Sequence, residues 1–198
     1  MRLRKLLLIM TALTMAVVLA ACSGSEDQGS APSDDDVQAP TAPATSEDQD
    51  TQGPADKTLN VTVPAMERIQ NSPVPTTAGD DEDALRDYVG IHLEGTGFPW
   101  EDEANVYIAG HRLGYPGTDS FLAFYDIDAV QVGDQVTLSD ADGKQYIYEV
   151  FNTFTVAPTD LYVTEPIQGR NVVTLQTCTL PDYTNRVIVQ GELMDSQA

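Results

Sequence analysis

Positive charge is what this 198-residue chain has least of: 10 Lys and Arg stand against 31 Asp and Glu, a formal net charge of −21. Nucleic acid is excluded as a natural partner, because binding it depends on neutralising phosphates. Anionic lipid is repelled for the same reason. Cysteine and histidine are scarce too, with two of each. They are not spaced as zinc ligands, and no glycine-rich phosphate loop with a lysine is present, so no metal site and no cofactor are expected. No repeat of 20 to 50 residues is visible. The longest apolar run, Leu6 to Ala20, is too short for a comfortable membrane span.

That run has a recognisable context. Arg2, Arg4 and Lys5 precede it, and Leu19-Ala20-Ala21-Cys22 closes it with small residues. Residues 1–21 resemble a bacterial lipoprotein signal peptide, which implies cleavage before Cys22 and lipidation of its sulfur. The other reading is an ordinary secretory signal with a chance cysteine. Loss of the three basic residues leaves 7 positive against 31 negative groups, or −24. Attachment to the extracytoplasmic face of the cell membrane then comes from acyl chains and not from a basic patch. Residues 22–57 read as the lipidated cysteine followed by a disordered acidic linker. Ser23 to Lys57 is rich in Ser, Gly, Pro, Ala, Gln and acidic residues and has almost no large apolar side chain to bury.

The remaining residues, 58–198, read as one domain. Leu59 to Val63 alternates apolar and polar residues, and a second short segment runs from Met66 to Val74 between prolines. Asp80 to Tyr88 suggests a short helix. Val89 to Trp100 is strand-like and then loop-like, and Val106 to Ala109 is a compact apolar strand. Phe121 to Ile127 is expected to form a helical turn with Phe121, Leu122, Phe124 and Tyr125 inward. Asp140 to Lys144, D-A-D-G-K, is a hairpin turn lacking the rest of a calcium loop. Gln145 to Val156 is a long alternating strand. Pro158 to Arg170 is a long connection, of a length that is usually functional or mobile. Two β-branched runs, Val172 to Thr177 and Arg186 to Leu193, end the domain as adjacent strands joined by a polar loop. About eight short strands with one or two short helices give a mainly β fold, a closed or nearly closed eight-stranded barrel.

Chemistry gathers at strand ends. With Cys22 lipidated, Cys178 has no disulfide partner, and a lone thiol in an oxidising compartment is either buried or used. Cys178 ends one of the last strands and Arg186 begins the other, where a cation steadies a thiolate and developing negative charge on a carbonyl. A cysteine nucleophile also needs a proton acceptor that later protonates a leaving amine, a task suited to histidine. His111 leaves a buried-looking strand beside glycine. His92 lies within an alternating segment and reads as a hydrogen-bonded structural residue.

Thr174-Leu175-Gln176-Thr177-Cys178, followed by Arg186 at the start of the next strand, resembles the T-L-x-T-C and arginine signature of the sortases. Ile108 to Arg112, I-A-G-H-R, is similar to the segment carrying their histidine, and Gly90 to Thr96 to the glycine-histidine stretch preceding it. The resemblance covers roughly Leu59 to Leu193. It implies a sortase-type barrel in which Cys178 attacks the Thr-Gly carbonyl of a C-terminal sorting signal on a surface protein and forms a thioacyl intermediate. His111 would act as general acid and base, Arg186 would hold the substrate and its oxyanion, and Thr177 would help place substrate. A peptidoglycan precursor or a pilin lysine would supply the resolving amine. The G-H-R continuation and the compact size look most similar to class E sortases of actinobacteria. The lipoprotein-like start departs from the uncleaved membrane helix common in the family. Phe98-Pro99-Trp100 only superficially resembles an aromatic lid. Competing expectations are a pilin-polymerising enzyme, a cysteine peptidase or L,D-transpeptidase, and a non-enzymatic β-barrel lipoprotein that binds ligand or scaffolds an envelope complex.

Overall fold

The structure is a computed structural model describing residues 53–197. The signal peptide read over residues 1–21, the lipidation site Cys22 and most of the linker lie outside the described residues. Strands are β1 (Leu59–Thr62), β2 (Ser72–Val74), β3 (Thr76–Thr77), β4 (Ile91–Leu93), β5 (Ala104–Ala109), β6 (Gln135–Ser139), β7 (Gln145–Val156), β8 (Asn171–Cys178) and β9 (Arg186–Gln197). One helix, α1 (Glu82–Asp87), and two 3-10 turns, Ile127–Ala129 and Leu161–Thr164, complete the elements. Asp81 caps α1 by accepting from the Ala84 amide at 3.0 Å.

All nine strands form one sheet in the order β2-β1-β6-β7-β9-β8-β5-β4-β3. Its two edges, β2 and β3, are consecutive in the chain, separated by Pro75 alone. The sheet is therefore a nearly closed barrel whose ends are joined covalently. Proline suits the junction because it has no N–H to offer a ladder, while its carbonyl accepts from the His92 amide at 2.9 Å. Nine strands are counted where about eight were expected, because this edge segment changes partner at Pro75.

Side-chain alternation builds two apolar layers. Val106, Ile108, Val173, Leu175 and Val189 point into the barrel, where Tyr148 and Phe124 join them. Tyr107, Val156 and Ile188 form a second cluster with Val163 on the outer face. Since β5 and β8 are covered on both sides, they read as nearly continuous apolar runs, as expected for the parallel pair they form.

The long connection after β7 is fastened down. Val163 is buried, and the Asn105 side chain donates to the carbonyls of Val163 at 2.8 Å and Glu165 at 3.0 Å. Asp140 closes its turn by accepting from the amides of Asp142 and Lys144, both at 3.0 Å, and takes the Tyr146 hydroxyl on its other oxygen.

Two expectations are corrected. Of Phe121, Leu122, Phe124 and Tyr125, Phe124 is fully buried whereas Tyr125 is 48% exposed. A positive φ of 57° at Leu122 breaks the helical course, so irregular turns carry the chain into the Ile127–Ala129 turn. Within residues 53–57, read as the end of the linker, Gly53 and Lys57 lie against Trp100 while Ala55 and Asp56 are exposed. Lys57 Nζ lies 4.7 Å from the Trp100 ring centre, and a Cβ at Gly53 would fall 2.1 Å from that indole. The Phe98-Trp100 pair is stacked at 4.7 Å near Asn171, at the opposite end of β8 from Cys178. It is no lid for the thiol.

Candidate active site

Three adjacent strands bring the candidate residues together. Cys178 is the last residue of β8 and pairs directly with Arg186, the first of β9. On the other side, the parallel ladder of β5 and β8 pairs Ala109 with Gln176. It continues past the end of β5, where the Gly110 amide donates to the Gln176 carbonyl at 3.0 Å. One further step puts His111 at the register position of Cys178. Adjacent strands lie about 4.8 Å apart, so His111, Cys178 and Arg186 stand in one row across the sheet. All three alternate to the outer face, opposite the barrel core.

The two histidines have different surroundings. His92 is fully buried and bonded on both ring nitrogens: Nδ1 to the Thr76 hydroxyl at 3.0 Å, Nε2 to the Gly97 carbonyl at 3.0 Å and to the Thr96 hydroxyl at 3.1 Å. Burial lowers its pKa to about 4, against the opposing pull of the Gly97 carbonyl. It is a neutral structural residue near pH 7. His111 Nε2, alone among the buried side-chain nitrogen and oxygen atoms of the described residues, has no hydrogen-bond partner. An unpaired imidazole nitrogen at the register position of a cysteine is chemically able to accept or deliver a proton. Tyr115 packs edge-on against the ring, with centres 5.5 Å apart.

Arg186 is held at the rim by the carbonyls of Tyr183 at 3.3 Å and Asn185 at 3.1 Å. These bonds leave other guanidinium N–H groups available. Arg112, the neighbour of His111 in sequence, turns away. It is buried, pairs with Asp128 and donates to the Tyr125 carbonyl at 3.0 Å, which fastens the turn beneath the site.

Thr177 differs from expectation. Alternation along β8 turns its side chain to the inner face, 1% exposed, where its hydroxyl donates to the Gly110 carbonyl at 2.7 Å. Its side chain is committed to holding the two strand ends together and does not face the groove with Cys178.

Below this row lies another that sequence reading missed. Ala109, Gln176, Ile188 and Phe154 align across the outer face, and the Tyr107 hydroxyl donates to Gln176 Oε1. Deeper still, Gln190 donates to the Thr174 hydroxyl at 3.3 Å and Thr174 to Asn105 at 2.7 Å. The period-two pattern alone assigns these residues to one face, but which strands lie side by side is a long-range fact. The 158–170 connection, with Val163 buried against Tyr107 and Ile188, walls one side of this groove. A cleft of about 420 Å³, lined by Arg68, Gln70 and Asp119, lies apart from this groove. Among the described residues no group of three or more His, Cys, Asp and Glu is arranged to hold a metal.

Comparison with known proteins agrees with this geometry. The family described as Sortase domain matches residues 61–194. Sortase A of Streptococcus agalactiae serotype III (strain NEM316) is 33% identical over 90 residues, which are 45% of this chain and 36% of that relative. This chain thus spans well under two thirds of that relative's length. Among solved structures, sortase C1 from Streptococcus agalactiae aligns with a TM-score of 0.57 at 32% identity, over 69% of this chain and 67% of that one. Sortase C of Streptococcus pneumoniae aligns with a TM-score of 0.61 at 26% identity, over 73% and 72% of the two chains. With the family match running from the first strand into the last, and a cysteine, a histidine and an arginine in one row at the rim of its barrel, this chain belongs to the sortase family.

Proposed function

We propose that the protein is an extracytoplasmic cysteine transpeptidase that cuts a sorting signal between Thr and Gly and transfers the upstream part to an amine. The observation carrying this reading is the row of Cys178, Arg186 and the register position of His111, together with the unpartnered His111 Nε2. Cys178 Sγ, its proton taken up by His111, attacks the Thr carbonyl carbon to give a tetrahedral oxyanion. Arg186 donates to that oxygen, with charge-assisted bonds that strengthen as charge develops. The oxyanion collapses, the Thr–Gly bond breaks, and His111 Nε2 delivers the proton to the departing glycine amine. A thioacyl enzyme remains. An incoming amine attacks it, loses a proton to His111 and leaves as a new amide while Cys178 is released. Thr177 holds Gly110, and with it His111, in register.

The acceptor and subclass are finer proposals. The G-H-R continuation supports the class E reading, with alanine favoured in the signal. The solved neighbours named above carry the C designation, and the pneumococcal enzyme is described in terms of pilin substrate specificity, which supports a pilin-polymerising reading. Attachment to the membrane through lipid on Cys22 is proposed from the Leu-Ala-Ala-Cys box.

Incubating the protein with Leu-Pro-x-Thr-Gly and Leu-Ala-x-Thr-Gly peptides, with glycine, diaminopimelate-type or lysine amines, tests the reading. Cleavage, ligation and a thioacyl adduct on Cys178 are expected, with no turnover by Cys178→Ala. Turnover that survives Cys178→Ala overturns it. Mass spectrometry of the membrane-derived N-terminus checks the lipid on Cys22.

A further inference from the structure

The outer face of β8 presents one polar side chain between Cys178 and the buried row beneath, and it is Gln176. The T-L-x-T-C signature leaves this position open. Gln176 is partly exposed, and its Oε1 accepts the hydroxyl of Tyr107. Tyr107 rises from β5 and is 3% exposed. Burial holds its phenol well above the usual tyrosine range, despite the opposing charge of Arg186, so it stays protonated and donates. That bond settles which way the amide faces. Its oxygen is turned to Tyr107, and its Nε2, with two N–H groups, is left without a protein partner among the described residues. Flanking it are Ala109 and the buried Ile188, so the two donors stand in an otherwise apolar part of the groove.

The spacing along the strand gives this donor a use. Same-face residues of a strand are about 6.6 Å apart, which is also the separation of carbonyls two residues apart in an extended peptide. We propose that Gln176 is a substrate-binding residue. Its Nε2 donates to the backbone carbonyl two residues upstream of the one that Cys178 attacks, and Tyr107 holds the amide in the donating orientation. The inference rests on the acyl-transfer reading above. It adds a contact to the backbone of the bound peptide, one that a proline or an alanine at that position satisfies equally.

The test is steady-state kinetics of the wild type, Gln176→Leu and Tyr107→Phe on a cleaved sorting peptide and on the same peptide with a thioamide at that upstream carbonyl. Loss of one neutral hydrogen bond predicts a KM about 3- to 10-fold higher for Gln176→Leu at nearly unchanged kcat. Tyr107→Phe is expected to give a smaller rise, since the amide is then free to turn. The thioamide, a weaker acceptor, raises KM for the wild type and adds nothing for Gln176→Leu, a pattern that a merely structural residue does not produce. Alkylation of Cys178 in the free variants at the wild-type rate reports an intact site. Wild-type turnover with Gln176→Leu indistinguishable from it on both peptides overturns this inference alone. Absence of turnover by the wild type on any peptide overturns the acyl-transfer reading and this inference with it.

Discussion

The hydroxyl of Thr177 donates to the carbonyl of Gly110 at 2.7 Å, tying the residue before Cys178 to the residue before His111 across 67 positions of sequence. The bond is made on the inner face, so it ties together the strand ends that carry Cys178 and His111 without occupying the groove. Thr177→Val keeps the shape and removes the donor. It is expected to cost about 1–3 kcal/mol in urea denaturation and to slow peptide cleavage beyond that loss of stability, while Thr177→Ser stays near wild type. Wild-type kinetics for Thr177→Val would show that the tie has no part in aligning His111.

Gly110 is required for its lack of a side chain. A Cβ there would lie 2.4 Å from the Phe124 ring and 2.6 Å from the Val89 carbonyl oxygen, and the backbone oxygen cannot step aside. Gly110→Ala is expected to destabilise by about 1–3 kcal/mol through overpacking and to shift His111 out of row. A melting temperature equal to that of the wild type counts against the packing argument.

Arg186 and lysine are not equivalent at this rim. Two of its contacts hold it to the carbonyls of Tyr183 and Asn185, and a forked guanidinium is needed to keep these while reaching substrate. Arg186→Ala is expected to lower kcat about 10²- to 10³-fold with the melting temperature nearly unchanged, and Arg186→Lys to recover only part of it. Full activity of Arg186→Lys would reduce its role to one of charge alone.

His92 links stability to pH. Its pKa falls from 6.5 to about 4 on folding, chiefly through burial. The unfolded chain therefore binds a proton that the folded one excludes, and stability is lost as pH falls from 6.5 towards 4, then levels off. The slope from this one group approaches about 1.4 kcal/mol per pH unit inside that window. Denaturation of the wild type and His92→Gln between pH 7 and 5 isolates the effect, which is expected to be present in the wild type and missing in the variant. Parallel pH dependence in both would assign the slope to carboxylates.

The β-branched, alternating segments were legible because their period is local. Gln145 to Val156 is read and observed with the same bounds. β9 runs on to Gln197, past the apolar pattern that ends at Leu193, because its backbone keeps pairing with β7 as far as Gln145 whatever side chains it carries. The Phe121–Tyr125 turn was misread because a positive φ at Leu122 leaves no mark on hydrophobic periodicity. Tyr107 and Gln176 were missed for a related reason: one reads as core and the other as a surface glutamine until their strands are laid side by side.

By itself the sequence determined the candidate side chains, their positions at the ends of alternating runs, and the strand and turn types around them, since propensity and periodicity act over a few residues. Tertiary structure alone decided that β5 lies parallel to β8, which face each residue presents, and that Thr177 turns inward while Gln176 turns out. Those outcomes depend on backbone hydrogen bonds between segments distant in the chain and on filling one shared core. No local stretch of residues encodes its partner in that sense.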